Sequence, residues 1–226
     1  MSGTDSTCWT MIEAAATGAA GAREQFARSY APVVRAYLAA RWAGSPCLPD
    51  LDDAVQEVFV ECLKSGGVLD RADPARAGGF RAFLYGAIRN VARRAEEGQA
   101  AGREGPFPSR CDPEQIPARE RSLSSIFDRA WARAVTREAA ARLAERAAER
   151  GGEAERRAEL LRLRYQEGLE IAEIARRWQA EPDSLHPKFT RARREFRREL
   201  LEVLRFHHPE SPARIRQEYA ELLALL

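Results

Sequence analysis

The stretch LEIAEIARRWQAEPDSLHPKFTRARREFRREL, residues 169–200, decides the fold, because it predicts two helices joined by a short polar turn. In its second half, apolar residues recur every three or four positions and therefore share one face of a helix. These residues are Leu185, Phe189, Ala192, Phe196 and Leu200. This is the organisation of a helix–turn–helix, whose second helix enters the major groove of DNA.

The remaining faces of the second predicted helix are basic. From Arg176 to Arg198 the sequence has eight Lys or Arg residues and three Asp or Glu residues, a net charge of +5. The whole chain has a formal net charge of +2, so all other residues together sum to −3. Positive charge concentrated on one short element suits contact with phosphates. A solvated, arginine-rich surface helix has the same pattern, and the stretch alone leaves both interpretations open.

Composition predicts an all-α protein with two helical domains joined by a linker. The 226 residues are 45% hydrophobic and 31% charged, and no long run alternates with period two. No apolar run has the length of a membrane span, and the N-terminus lacks a signal-peptide pattern, so we expect a cytoplasmic protein without a membrane partner. The four cysteines are scattered without metal-ligand spacing, which predicts reduced thiols, no metal site and no cofactor.

The N-terminal domain is predicted at residues 10–97. It contains the amphipathic helix LDDAVQEVFVECLK, with Asp50 as a plausible N-cap. Residues 50–61 have five acidic residues and no basic one. Asp53, Gln56 and Glu57 share one face by their i, i+3, i+4 spacing. This face is either an ordinary solvated surface or a docking surface for a basic partner.

A basic helix follows the acidic one in the same domain. In FRAFLYGAIRNVARRAEE, residues 80–97, Asn90 and Arg93 share the outward face, flanked by Arg81 and Arg94. One compact domain would therefore carry opposite charge on two surfaces. A protein that bridges a basic protein surface and a nucleic acid needs this arrangement.

The rest of the chain is predicted as three segments. Residues 98–121 are rich in Gly, Pro and charge and predict a linker. Residues 122–206 form the second domain, which includes the helix–turn–helix. Residues 207–226 end in an amphipathic helix that packs on the second domain or on a partner.

These blocks, in this order, resemble the extracytoplasmic-function (ECF) sigma factors of bacterial RNA polymerase. DLDDAVQEVFVECLK resembles region 2.2 of that family, and FRAFLYGAIRNVARR resembles regions 2.3 to 2.4. LLRLRYQEGLEIAEIARRW followed by SLHPKFTRARREFRREL resembles region 4.2. The helix before the second domain and the C-terminal tail resemble a subgroup with a longer linker and a C-terminal helical extension.

The resemblance implies a non-enzymatic initiation factor that directs core RNA polymerase to promoter DNA. The acidic helix would dock on the clamp helices of the largest subunit, and the second domain on the flap of the second-largest subunit. The resemblance also implies an anti-sigma factor as one conceivable partner. The implied contacts are Asp53, Gln56 and Glu57 for polymerase, Arg81, Asn90, Arg93 and Arg94 for the −10 element, and His186, Lys188, Arg191 and Arg194 for the −35 element.

Two residues depart from the family pattern in the helix–turn–helix. Gln179 stands where the tight turn usually has Gly, so it must adopt a positive φ or reshape the turn. If His186 caps the second helix, Pro187 is its first residue and the helix begins late. His186 also replaces a common Lys. Together these departures predict an altered or relaxed −35 preference.

Two other classes of function remain open at this point. A stand-alone helix–turn–helix regulator predicts an apolar ligand cavity within residues 10–97 and binding to duplex DNA without polymerase. A helical adaptor that binds polymerase but no promoter predicts that Lys188 and Arg191 are dispensable. An enzyme is disfavoured, because the acidic residues lie on polar helix faces without a His or Ser partner.

Overall fold

The computed structural model describes residues 8–17, 19–64, 79–101, 116–208 and 211–225. Within these ranges the regular elements are helices and no strand is present, which confirms the predicted all-α fold. The α-helices are α1 (Cys8–Ala16), α2 (Ala20–Arg41), α3 (Leu51–Leu63), α4 (Gly79–Ala101), α5 (Ile116–Arg150), α6 (Glu153–Tyr165), α7 (Ile171–Trp178), α8 (Pro182–His207) and α9 (Pro212–Leu225). A 3-10 turn at Leu48–Asp50 precedes α3.

The chain divides into two compact units at positions that differ from the predicted domain boundaries. Unit 1 comprises the chain up to Ala134 together with the segment from Phe206 onward, and unit 2 is Val135–Arg205. The first part of α5 and the whole of α9 thus belong to unit 1, whereas the sequence placed residues 122–206 in the second domain. The tail packs within unit 1, where Glu221 of α9 bonds Arg81 of α4 and Glu218 of α9 bonds Trp131 of α5.

Helices also extend into the predicted linker. Residues 98–101 continue α4, and α5 already begins at Ile116. The remaining linker residues, 102–115, and residues 65–78 lie outside the described residues.

Unit 1 has an aromatic core. Its fully buried rings are Phe26, Tyr37, Trp42, Phe80, Phe127 and Trp131. Tyr30 stacks on Trp131 with ring centroids 5.7 Å apart, and Phe80 contacts both of these rings. Aromatic pairs at these distances add stability beyond the burial of their area. The contacts join α2, α4 and the first part of α5 into one core.

An ion pair fastens the end of α2 to α4. The guanidinium of Arg41 donates two hydrogen bonds to the carboxylate of Glu96, at 2.7 and 2.9 Å. The indole N–H of Trp42 donates to the same carboxylate at 3.0 Å. Bidentate geometry makes this pair stronger than an ordinary surface salt bridge.

Unit 2 has an aliphatic core made by α6, α7 and α8. One cluster contains Leu160, Leu163, Ile174, Ala175 and Leu185, with Trp178 and Phe189 packed against it. A second cluster joins α5, α6 and α8 through Leu143, Leu161 and Ala192. The bidentate pair between Arg157 and Glu195 links α6 to α8 at the surface of this core. The apolar stripe predicted for the second helix therefore packs inward, as Leu185, Ala192 and Leu200 are buried.

The tight turn between α7 and α8 keeps its shape without glycine. Gln179 has φ 51° and ψ 45°, in the left-handed region. Its N–H donates to the carbonyl of Arg176, and the N–H of Ala180 donates to the carbonyl of Ala175 at 2.9 Å. These two bonds satisfy the last carbonyls of α7 and account for the conformation. Of the two outcomes predicted for Gln179, the structure has the positive φ.

The second helix does not have the late start that a cap at His186 would produce. Helix α8 begins at Pro182, so Pro187 lies inside it. Pro182 itself occupies the first position, where a missing N–H has no helical partner to lose. The hydroxyl of Ser184 donates to the carbonyl of Glu181 at 2.7 Å and supports this first turn. His186 is consequently an exposed residue within the helix and not its cap.

Candidate polymerase and nucleic-acid interfaces

Helix α3 has one buried face and one acidic, exposed face. Val55, Val58 and Cys62 are buried, and burial raises the pKa of the Cys62 thiol to about 12, which keeps it protonated and unreactive. The side chains of Asp53, Gln56 and Glu57 are exposed on the opposite side. We call these three residues the acidic face. The structure thus brings together the three residues that the sequence assigned to polymerase.

Asp50 occupies the N-cap position of α3, but its side chain forms no capping hydrogen bond. Instead, its carboxylate accepts a hydrogen bond from the side-chain amide of Gln99 at 3.0 Å. This bond links the start of α3 to the end of α4.

An open groove of about 650 Å³ lies between α3 and α4. Asp50, Asp53, Glu57 and Arg94 contribute charged side chains to its lining. Apart from Gln99, its other lining residues are apolar or glycine. The groove adds carboxylates to the edge of the acidic face.

The exposed residues Asn90, Arg93 and Arg94 of α4 form what we call the basic face. Arg93 pairs with Glu97 one turn later, at 2.8 Å, and Arg94 pairs with Glu61 of α3, at 3.2 Å. Hydrogen bonds from Lys64 and Arg94 hold the pKa of Glu61 below its ordinary value. The Arg93–Glu97 pair is exposed and contributes little to stability, so a phosphate can replace Glu97, whereas the Glu61 side chain is only 14% exposed.

Arg81 lies apart from the basic face, although the sequence grouped it with the other −10 residues. Its guanidinium donates to Asp128 of α5 at 2.5 Å and to Glu221 of α9 at 3.1 Å. Only 20% of its side chain is exposed. Burial by itself lowers the pKa of Arg81, but the hydrogen bond and charge of Asp128 outweigh it and raise that pKa. Arg81 is therefore largely buried, and it connects α4 to α5 and α9.

The four residues assigned to the −35 element all lie on α8. His186, Arg191 and Arg194 are exposed, whereas Lys188 is partly buried and donates to Glu153 of α6 at 3.1 Å. In the part of the chain that the structure describes, neither Arg191 nor Arg194 forms an ion pair. Both point from a helix that follows a tight turn, as the recognition helix of a helix–turn–helix does.

Residues 26–100 match the family model of sigma-70 region 2. The matched range begins in α2 and covers α3 and almost all of α4, so it contains the acidic and the basic face. The match supports a sigma-70 family sigma factor, a non-enzymatic factor for promoter recognition by RNA polymerase. No curated protein and no solved structure matches the chain.

The stretch that matches region 2 contacts residues outside it that sequence reasoning missed. Asp128 and Glu221 bind Arg81 although they lie 47 and 140 positions away. Glu218 of α9 is buried and accepts a hydrogen bond from the indole N–H of Trp131 at 2.6 Å. The spacing of residues within one helix does not predict contacts between residues so far apart in the sequence. The amphipathic character of the tail was the only hint that α9 packs on another surface.

None of the helices in the described ranges is long and apolar enough to cross a bilayer. In the same ranges, no group of three or more His, Cys, Asp or Glu residues is placed to hold a metal ion.

Proposed function

We propose that the protein is an ECF-type sigma factor that binds core RNA polymerase and directs it to promoters through −10 and −35 elements. Two exposed faces carry this proposal, the acidic face on α3 and the basic face on α4. Both lie inside the stretch that matches sigma-70 region 2. The protein would act in the cytoplasm, where polymerase and DNA are found.

The acidic face is the proposed contact with the clamp helices of the largest polymerase subunit. Asp53, Gln56 and Glu57 are exposed, and their backbone is fixed by the buried side of α3. A rigid row of carboxylates and an amide suits a basic helical surface, because complementary charge steers association and fixes register.

The basic face is the proposed contact with the −10 element. Arg93 and Arg94 are suited to phosphates, and the amide of Asn90 can both donate to and accept from a base edge. The present partner of Arg93 is Glu97, in an exposed pair that a DNA strand can displace, and the partner of Arg94 is Glu61, whose side chain is 14% exposed.

Helix α8 of unit 2 is the proposed reader of the −35 element. Arg191 is exposed and unpaired within the described residues, and Arg and Lys side chains are the usual partners of guanine edges. Lys188 must leave Glu153 before it can reach DNA, which weakens its contribution. With His186 in place of a stronger cation, we propose a relaxed −35 preference, which a binding-site selection that returns the ordinary −35 sequence of the family would contradict.

The first experiment is a pull-down of purified bacterial core RNA polymerase by the full chain. A variant with Asp53→Ala, Gln56→Ala and Glu57→Ala should lose most of the binding, because it removes the whole acidic face. The matched control is Glu13→Ala, Glu24→Ala and Gln25→Ala, which removes the same side-chain types from exposed positions of α1 and α2. Equal binding by both triple variants would reject the proposed docking surface.

A second measurement separates promoter recognition from the open alternatives. Binding to duplex DNA should weaken when Arg191 is changed to Ala, and the salt dependence should fall by about one counterion if Arg191 contacts a phosphate. Retained binding by the Lys188→Ala, Arg191→Ala double variant would favour the adaptor. Duplex binding without any polymerase binding would favour the stand-alone regulator.

A further inference from the structure

Helix α9 covers a face of α4 and α5 within unit 1. Its Glu221 accepts a hydrogen bond from Arg81, and its Glu218 accepts one from the indole of Trp131. His208, just before α9, contacts the same Glu218 carboxylate. These contacts bring the end of the chain back onto the region 2 stretch.

Few side chains of α9 are fully buried in the described structure. Its buried residues are Glu218 and Leu222, so only one of them is apolar. Leu223 is 57% exposed and Leu225 is 37% exposed. Helix α4, by contrast, buries Phe80, Leu84, Ala87, Ile88, Val91 and Ala92. Since helices in proteins are stabilised chiefly by burying an apolar face, α9 is far less firmly held than α4.

A groove of about 280 Å³ lies where α9 meets α4 and α5. Arg81 and Tyr85 of α4 line it, one turn apart, and Arg214 of α9 lies at the same groove. The Tyr85 ring packs edge-on against Phe127, and the guanidinium of Arg89 lies over it. Arginine and aromatic side chains together are the combination that binds single nucleic-acid strands. Glu221 places a carboxylate against Arg81 in the position that a phosphate oxygen would need.

We propose that α9 is an intramolecular competitor of DNA at this groove. While α9 is docked, Glu221 is hydrogen-bonded to Arg81, and residues of α9 line the groove together with Tyr85. When α9 leaves, Arg81 keeps Asp128 as an orienting partner and turns toward a single DNA strand. The inference rests on the proposed function for the origin of that strand, and it explains how Arg81 can serve DNA although the structure holds it away from the basic face.

The test measures binding of a fluorescein-labelled single-stranded oligonucleotide by fluorescence anisotropy. Three chains are compared, namely the full chain, Glu221→Gln, and a chain that ends at His208. Removing one half-exposed carboxylate partner should tighten binding by up to about fivefold, and removing the whole helix should tighten it further. Glu24→Gln is the control, since it removes the same charge from an exposed pair on α2 that does not involve Arg81.

Arg81→Ala identifies the residue responsible. Introduced into the shortened chain, it should abolish the gain in affinity, whereas in the full chain it should change binding little. Circular dichroism checks that each variant is folded, and Glu221→Gln keeps α9 in case the shortened chain is not. Unchanged affinity in a folded Glu221→Gln variant, or a gain that survives Arg81→Ala, would overturn the proposal.

Measuring polymerase binding by the same variants distinguishes a failure of this proposal from a failure of the proposed function. The acidic face lies on α3, so Glu221→Gln should bind core RNA polymerase as the unchanged chain does. If the unchanged chain fails to bind polymerase, the sigma-factor proposal fails. Competition by α9 is still decided by the oligonucleotide measurement alone.

Discussion

Unit 1 and unit 2 are both built from helices, but the contacts inside each unit differ in how far apart the contacting residues lie in the sequence. In unit 2, the core joins helices that follow one another closely, such as α6, α7 and α8. In unit 1, Tyr30 bonds His207 at 2.8 Å across 177 positions, and Trp131 bonds Glu218 across 87. The helical period therefore predicts unit 2 well. Which helices belong to unit 1 depends instead on which distant segments of the chain pack against it.

The largest effect that tests this contrast comes from Trp131. Its side chain is fully buried and contacts Tyr30, Phe80, Phe127 and His207. Trp131→Ala should reduce the free energy of unfolding by about 3–5 kcal/mol, since it leaves a large cavity. Urea unfolding followed by circular dichroism measures the loss, and hydrogen exchange should place it mainly in α2 and α4. The control Tyr165→Ala, at a side chain that is 65% exposed, should cost less than about 1 kcal/mol.

Acidification tests the polar part of the long-range contacts in unit 1. Burial by itself raises the pKa of Glu218, but the hydrogen bond of His208, the attraction of both histidines and the Trp131 N–H bring that pKa below its ordinary value of 4.5. Because the pKa is lower in the folded state, the stabilising contribution is complete above about pH 4.5 and falls as the pH drops through the folded-state value.

The variant Glu218→Gln isolates this contribution. At about pH 7 it should lower the free energy of unfolding by about 1–3 kcal/mol, through the loss of charged hydrogen bonds. The difference from the unchanged chain should shrink as the pH falls below about 4.5 and through the lowered pKa of Glu218, as the carboxylate of the unchanged chain becomes protonated. A constant difference over that range would show that the ionised carboxylate is not what stabilises unit 1.

The turn at Gln179 offers the corresponding test in unit 2, where one local backbone angle should matter. Gln179→Gly should stabilise the fold by about 1 kcal/mol, because glycine adopts positive φ without the steric cost of a side chain. Gln166→Gly is the matched control, since Gln166 ends α6 at φ −95° and gains nothing from glycine. Equal shifts of the urea midpoint in the two variants would argue against strain at Gln179.

The smallest expected effect concerns Asp50. Asp at an N-cap usually contributes about 1 kcal/mol through its capping bond, but here the side chain bonds Gln99 instead. Asp50→Ala should therefore cost about 0.5 kcal/mol or less, and Gln99→Ala about the same. The double variant should cost no more than either single one if the two side chains act only through each other. A loss of about 1 kcal/mol in Asp50→Ala alone would instead indicate capping.

Much of the fold and of the candidate site follows from local patterns in the sequence. The spacing of Asp53, Gln56 and Glu57 places them together on one exposed face, and that of Asn90, Arg93 and Arg94 gives the basic face. The apolar stripe from Leu185 to Leu200 packs inward as predicted. Such predictions succeed because the helical period alone decides which residues share a face.

Other features were decided only by the tertiary structure. One of them is the start of α8, which begins at Pro182 and not at Pro187. A proline costs least at the first position of a helix, because its missing N–H has no helical partner there. The assignment of Arg81 to DNA ignored Asp128 and Glu221, whose approach depends on how α5 and α9 return to α4. The helical period specifies which residues share a face of a helix, but it does not specify which distant helix packs against that face. The sequence by itself therefore determined the helices and their charged surfaces, and the tertiary structure determined that the C-terminal helix covers Arg81.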